Sequence, residues 1–427
     1  MSKKVLIVTY YWPPSGGSGV QRWLKFVKYL PEFGWTPYVL TPENPAFDLR
    51  DESLLKDIPP EAEVLRLPIW EPYRLLGKTK GKDEKKAKIF FSSGKSWTQK
   101  IMRFIRGNFF IPDPRMFWVT PASRFLEDFI LQEKISHVVT TGPPHSMHLI
   151  GMRLKKKVPA LRWVADFRDP WSEWHLLDEW QVSRPVRKIH QYLEKKVLTR
   201  ADAILTVTPG LAAHFGQLAN RKVVCITNGY DDSDVSDIQY VRTNRFTIRH
   251  TGLVKDARPF MEAVKQVALE NAAFKDAVLV DFTGEVHPDF RSYVENDETL
   301  KQITRFSGYK PHRELPALYA QTDVLLLVIP DVPLARAYLP GKLFEYLAAK
   351  RPVIGLGPED GDAAAILAKT GAGMVIEPKN SITIKEELLR LFSDWQRNTD
   401  AISTGTGIES YSRKSLTGEL VGLLNSL

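Results

Sequence analysis

Short apolar runs alternate with longer amphipathic stretches along nearly the whole chain, and this alternation limits the fold more than any other feature. It predicts parallel sheets covered by helices. In the first half the expected strands are 5–9, 37–40, 137–140, 162–165, 203–207 and 223–226. Between 227 and 243 the pattern stops. Asn228-Gly229 marks a turn and Asp231-Asp232-Ser233-Asp234 is a polar cluster, so a domain boundary is expected there. A second run follows, with strands at 247–250, 278–282, 302–306, 324–329, 352–355 and 374–376. Helical patterns lie between them at 259–271, 312–321, 341–350 and 363–369, and two more follow at 384–395 and 415–424. A chain of 427 residues is also too long for one ordinary core. The reading is α/β: two tandem Rossmann-like, doubly wound domains facing a central cleft. Residues 1–235 form the first and 245–400 the second, with 401–427 packing back toward the first. In such folds ligands sit beyond the carboxyl ends of the strands, where helices begin.

Composition excludes several classes. One cysteine, Cys225, cannot pair within the chain, which predicts a reducing, cytoplasmic setting. No apolar run approaches the roughly 20 residues of a membrane span. The apolar start at Val5-Leu6-Ile7-Val8 is too short for a signal peptide and runs into Tyr10-Tyr11-Trp12-Pro13-Pro14 instead of a small-residue cleavage site.

The net charge of +9 is concentrated in one segment. Residues 74–110 carry Arg74, Lys78, Lys80, Lys82, Lys85, Lys86, Lys88, Lys95, Lys100, Arg103 and Arg106, opposed by Asp83 and Glu84. That is 11 − 2 = +9, so the remainder is neutral overall. Bulky apolar residues, Trp97, Phe104 and Phe109 among them, are interleaved. Such a basic insertion suits an anionic membrane surface, where the charges attract headgroups and the apolar side chains enter the interface. A solvated loop is the plainer alternative. The neutral remainder and the absence of a nucleic-acid motif argue against nucleic acid as a partner.

Three loops hold candidate site residues. After the first strand, Pro13-Pro14-Ser15-Gly16-Gly17-Ser18-Gly19 offers Gly16 and Gly17 for close backbone approach to a phosphate or sugar oxygen, or simply for a tight turn. The dinucleotide pattern is broken because Arg22 stands at its third glycine. The segment Asp166-Phe167-Arg168-Asp169-Pro170-Trp171 puts two carboxylates and a guanidinium at a strand end, for acid–base work or as an internal ion pair. In the second half Pro340-Gly341-Lys342 opens a helix whose N-terminus, aided by Lys342, can receive a diphosphate. Glu345, three residues on, can accept two hydrogen bonds from a ribose diol. An exposed Lys–Glu pair is the alternative. No metal site emerges. His145 and His148 lack further ligands, and Asp232-Ser233-Asp234 lies in the expected linker.

In this order and spacing, residues 10–22, Thr141-Gly142-Pro143-Pro144-His145-Ser146, 166–171, Ile226-Thr227-Asn228-Gly229-Tyr230-Asp231, 308–315, 340–349 and Thr370-Gly371-Ala372-Gly373 resemble one family. The chain is similar to glycosyltransferases of the GT-B fold, close to the family-4, sugar-nucleotide-dependent glycosyl transferase group 1. The resemblance covers nearly the full length except the basic insertion. It implies transfer of a sugar from a nucleotide diphosphate sugar, with retention and with neither metal nor cofactor. The donor side would comprise Gly16, Gly17, Arg258, Tyr309, Gly341, Lys342 and Glu345. Asp169 and Asp166 are the candidate catalytic pair, and Arg168 and His145 the acceptor side.

The departures from the family pattern are specific. Glu345 matches the second acid of its Glu-x7-Glu motif, but the first falls on Ala337. Counting from Gly252, the family's Arg falls on Leu253 and its Lys on Arg258. Lys342 would supply the missing cation. The acceptor expected is lipid-linked or a saccharide, in bacterial cell-surface polysaccharide or lipopolysaccharide assembly. The protein would be cytoplasmic, peripheral on the inner face of the plasma membrane. Two other functions fit the scaffold: a sugar-nucleotide epimerase, and a non-catalytic protein that binds a nucleotide sugar or docks on membranes.

Overall fold

The computed structural model describes residues 3–46, 49–72, 97–174, 176–235, 238–397 and 406–427. They divide into two compact units. The first comprises Met1–Thr227 with Leu416–Leu427, and the second Asn228–Ser415.

The first unit contains a parallel sheet of β1 (Lys3–Val8), β2 (Trp35–Pro42), β3 (Glu63–Leu67), β4 (His137–Gly142), β5 (Arg162–Phe167), β6 (Ala203–Thr206) and β7 (Val224–Cys225), in the order β3-β2-β1-β4-β5-β6-β7. The chain builds outward from β1 to β3, then returns to β4 on the other side of β1. The switch point therefore lies between β1 and β4, whose register pairs Val5 with His137 and Val8 with Thr140. One core contains Val5, Ile7, Leu24, Val27 and Trp35 together with Leu416, Leu420, Val421 and Leu424 of the last helix, Arg413–Asn425.

The second unit contains β8 (Phe246–Thr251), β9 (Val278–Thr283), β10 (Thr304–Gly308), β11 (Val324–Val328), β12 (Val353–Leu356) and β13 (Gly373–Ile376), in the order β10-β9-β8-β11-β12-β13. Its switch point lies between β8 and β11. Successive residues of β11 face opposite sides. Val324 and Leu326 join a core with Phe246, Phe282 and Phe392, while Leu325 and Leu327 join one with Phe344, Leu347 and Leu367. Both faces are covered, which is why β11 is apolar throughout.

The expected strands recur with shifts of a residue or two, and β3 was not foreseen. Its sequence, Glu-Val-Leu-Arg-Leu, is a half-solvated edge strand with a weak signal. The strand expected at 302–306 begins instead at Thr304. Asp297 accepts hydrogen bonds from the backbone N–H groups of Thr299 and Leu300 and caps a helix through Ile303. The helix expected over 312–321 divides into a single 3-10 turn, His312–Glu314, and a short helix, Leu315–Ala320. Of the basic insertion at 74–110, residues 74–96 lie outside the described residues; Trp97–Phe109 is helical. Among the described residues no helix is long and apolar enough to cross a membrane.

Candidate functional site

The second unit gathers its chemistry at the switch point. β8 ends in Thr251, and Gly252 just after it adopts φ +87°, a backbone that side chains disfavour. A Cβ there would lie 3.2 Å from the Lys342 ammonium. The bare backbone thus leaves room for Lys342, which rises from the first turn of the helix Gly341–Ala348. Around Gly341 a Cβ would meet nothing within 4 Å, so the helix start is open.

Lys342 Nζ lies 3.1 Å from His250 Nε2, and His250 Nδ1 lies 2.9 Å from the Leu326 carbonyl. An ammonium has only protons to give and a carbonyl only lone pairs. Nδ1–H donates to Leu326, and Nε2, which also lies 3.3 Å from the Leu253 carbonyl, accepts from Lys342 at the shorter distance. Burial, the Lys342 charge adding to it, pushes the His250 pKa down to about 3, so the ring is neutral. Burial also pushes Lys342 down to about 8, with Glu345 pulling the other way. The lysine is a cation at neutral pH but close to losing its proton.

Glu345 lies one turn along. Its Oε1 faces His312 Nε2 at 3.2 Å, and its Oε2 accepts from the Tyr319 hydroxyl at 2.8 Å. Burial alone would raise this carboxyl. His312, Tyr319 and the Lys342 charge outweigh it and hold the group below its ordinary value. It is an anion with 28% of its side chain exposed. Behind it the Tyr319 hydroxyl lies 3.2 Å from Thr251 Oγ1, and the Thr251 N–H donates to the Tyr346 hydroxyl at 3.0 Å. A fixed cation, a fixed anion and an open helix start thus share one face at the carboxyl edge of the sheet. That is the chemistry for a ligand with phosphate at one end and hydroxyls at the other.

The remaining donor-side expectations lie elsewhere. Arg258 starts the helix Arg258–Glu270, with Asp256 at 3.6 Å and the Tyr293 ring at 5.7 Å. Neither belongs to the Lys342–Glu345 cluster. Tyr309 is 71% exposed on the loop after β10, three residues before the His312 that touches Glu345. Ala337 is buried in a 3-10 turn and offers no carboxylate. Gly16 and Gly17 belong to the first unit. Gly17, at φ +88°, ends the loop before the helix Ser18–Tyr29, while Gly16 donates its N–H to Leu49.

In the first unit Asp166 is fully buried on β5. Its carboxylate accepts from Arg22, from Trp23 Nε1 at 2.7 Å and from Thr141 Oγ1 at 2.9 Å. These donors commit it to holding the helix after β1 and β4 together; its ion-pair partner is Arg22, not the Arg168 of its own segment. Arg22 stands where a dinucleotide fold has its third glycine because it reaches this carboxylate. Arg168 is engaged as well: it donates to the backbone carbonyls of Gly19, Gly142 and Pro143, clamping the loops after β1 and β4. Asp169 is half-buried on the loop after β5, and its charge acts on Arg168. His145 is buried and stacks on Trp171 at 4.8 Å and 1°. Its ring nitrogens have no hydrogen-bond partner, and burial drives its pKa far down. Trp171 is held in turn by His190 and by Glu194. Among the described residues no group of three or more His, Cys, Asp or Glu side chains is arranged to hold a metal ion.

Sequence reading missed His250, Thr251 and Tyr319. His250 was read only as a strand end, and nothing local marks it as the partner of a lysine 92 positions away. Tyr346 and His312 fell inside recognised segments without a role.

The pH dependence follows from the lysine. Binding of a phosphate-bearing ligand at this cation is expected to hold constant up to about pH 7.5. Above about 8 it falls by up to tenfold per unit, as free Lys342 loses its proton. Titration calorimetry at pH 6–9 checks this, and Lys342→Arg should flatten the profile.

Residues 245–394, inside the second unit, match the family described as Glycosyl transferases group 1. No curated protein sequence is similar enough to count as a relative. Similar solved structures extend over the whole chain. A glycosyltransferase from Rickettsia africae has a TM-score of 0.63 at 13% identity, covering 100% of this chain and 98% of its own. Anabaena HepE in complex with UDP has 0.62 at 14%, covering 100% of both. WaaG, a glycosyltransferase involved in lipopolysaccharide biosynthesis, has 0.54 at 15%, covering 99% of this chain and 100% of its own. Within the second unit, residues 245–394 are thus similar to a glycosyl transferases group 1 domain, and the chain as a whole shares the two-unit α/β fold of these solved GT-B glycosyltransferases.

Proposed function

We propose that this glycosyltransferase moves a sugar from a nucleoside diphosphate sugar to a saccharide or lipid-linked acceptor in bacterial cell-surface polysaccharide assembly, retaining configuration and needing no metal. The observation that carries the donor reading is the pairing of Lys342 and Glu345 one turn apart at an open helix start. Lys342 and the free N–H groups of that turn take the diphosphate, and Glu345 takes the ribose diol. As the glycosidic bond breaks, negative charge grows on the leaving diphosphate, and Lys342 with the helix dipole stabilises it. The likeness to HepE, solved with UDP and with UDP-glucose, supports a uridine nucleotide. The likeness to WaaG supports the cell-surface role. Asp169 is the acceptor-side carboxylate, while Asp166 and Arg168 position the loops around it. A cytoplasmic site of action at the inner face of the membrane belongs to this reading, and the donor class and the single cysteine support its cytoplasmic part.

A panel of uridine, guanosine and cytidine diphosphate sugars, scored by thermal stabilisation with a chelator present, tests the donor reading. One base class should stabilise the protein by several degrees. No shift with any nucleotide, with or without divalent metal, would overturn it. Product analysis by NMR with the stabilising donor separates transfer from epimerisation.

A further inference from the structure

We infer that the helix Trp97–Phe109 is a docking element for an anionic lipid surface. This goes beyond the donor reading and does not rest on it. The helix is inside out for a soluble domain. Trp97, Ile101, Phe104, Ile105 and Phe109 are all exposed, Trp97 by 73% and Phe109 by 68%. At 100° per residue they share one face. The opposite face, Arg106 and Gly107, is the buried one.

The seat fixes this orientation. A Cβ at Gly107 would lie 2.9 Å from the Trp180 carbonyl oxygen, so only glycine fits against that backbone. The Arg106 guanidinium lies 4.3 Å from the Trp180 ring centroid. Asn108 accepts from the Ser183 N–H at 2.8 Å and donates to the Gln181 carbonyl at 3.2 Å. Rotating the apolar face inward would break all of these contacts. The apolar surface continues through Phe110 to Phe117 and Trp70, whose rings meet edge to face at 4.7 Å.

Charge selects the occupant. Besides Arg106, which is buried against Trp180, the helix carries Lys100 and Arg103 and no acidic residue. The sequence leading into it, residues 73–96, adds eight basic residues against two acidic ones. Aromatic side chains flanked by lysines and arginines match the acyl–headgroup boundary of a membrane rich in anionic lipid. The seat also joins this surface to the acceptor side: Trp180 meets Trp174 at 5.6 Å, Trp174 meets His145 at 6.4 Å, and His145 stacks on Trp171, two residues after Asp169. A lipid-linked acceptor would enter beside the loop that handles it.

Flotation of the full chain with phosphatidylcholine vesicles, with and without about one-third phosphatidylglycerol, tests the inference. Binding is expected only with phosphatidylglycerol, and should weaken about tenfold or more between about 0.1 and 0.5 M salt. Phe104→Glu with Phe109→Glu should abolish it. Both positions are exposed, so the melting temperature and the nucleotide-induced shift should stay unchanged, which separates failure here from failure of the donor reading. Equal binding to neutral vesicles, or undiminished binding by the double variant, would overturn the inference. So would a protein dimer in sedimentation that the double variant dissociates, since the face would then join two copies of this chain.

Discussion

Replacing Lys342 with alanine is expected to weaken nucleoside diphosphate sugar binding by about 10- to 100-fold while leaving the fold intact. A hydrogen bond to a charged group contributes about 1.5–3 kcal/mol, and here the charge also faces a diphosphate in a partly buried site. Glu345→Gln should cost about tenfold, because an amide keeps the shape but loses the anion that receives the ribose hydroxyls. The two losses should differ by ligand. Lys342→Ala should lose nearly all of its effect with a nucleoside lacking phosphate, and Glu345→Gln should not. Stability should move the other way. Folding depresses Lys342 from 10.5 to about 8, so its charged form is disfavoured in the free protein. With a lysine lowered by folding, the penalty is present below pH 8 and is relieved as pH rises from 8 to 10.5. Lys342→Met should therefore raise the melting temperature at pH 7 while reducing binding, and calorimetry of both variants checks the pair of outcomes.

Asp166→Ala is expected to be the most damaging single change in the first unit. It strips a buried arginine of its counter-ion and leaves Trp23 Nε1 and Thr141 Oγ1 without their acceptor. Removing one partner of a buried ion pair costs about 3–5 kcal/mol. Asp169→Ala, on a half-buried loop, should change stability by about 1 kcal/mol or less while reducing turnover. Denaturant unfolding followed by tryptophan fluorescence is the measurement. Trp12, Trp23, Trp35, Trp70, Trp97, Trp118, Trp163, Trp171, Trp174 and Trp180 lie in the first unit and only Trp395 in the second, so the signal reports the first almost alone. If Asp166→Ala unfolded at the wild-type midpoint and lost turnover instead, its carboxylate would be a reacting group and the positioning role would be wrong.

The sheets were legible because strands buried on both faces are apolar from end to end, as in Val324–Val328, and no tertiary information is needed to see that. The edge strand Glu63–Leu67 was not, since one face meets solvent and five residues give little periodicity. At the site, Lys342 and Glu345 could be read because both the helix opening and their spacing are local. Their partners could not: His250 and Tyr319 arrive from other elements, and only the strand order brings them to one edge. For the aspartates, chemistry in the sequence could not separate a reactive carboxylate from an engaged one. Asp166 and Asp169 are three residues apart, and the difference between them is Arg22, 144 positions away.

The last helix has a consequence for how the protein comes into being. Leu416, Leu420, Val421 and Leu424 line the same core as Val5 and Ile7, with the whole second unit encoded between them. Synthesis runs from the N-terminus, and domains generally fold as they emerge. Here the first unit to leave the ribosome is the last to be finished. It must wait with an open apolar seam while the second unit, contiguous in sequence, completes itself. A chaperone that covers exposed apolar surface would be needed most during that interval, which lasts until residues 416–427 arrive.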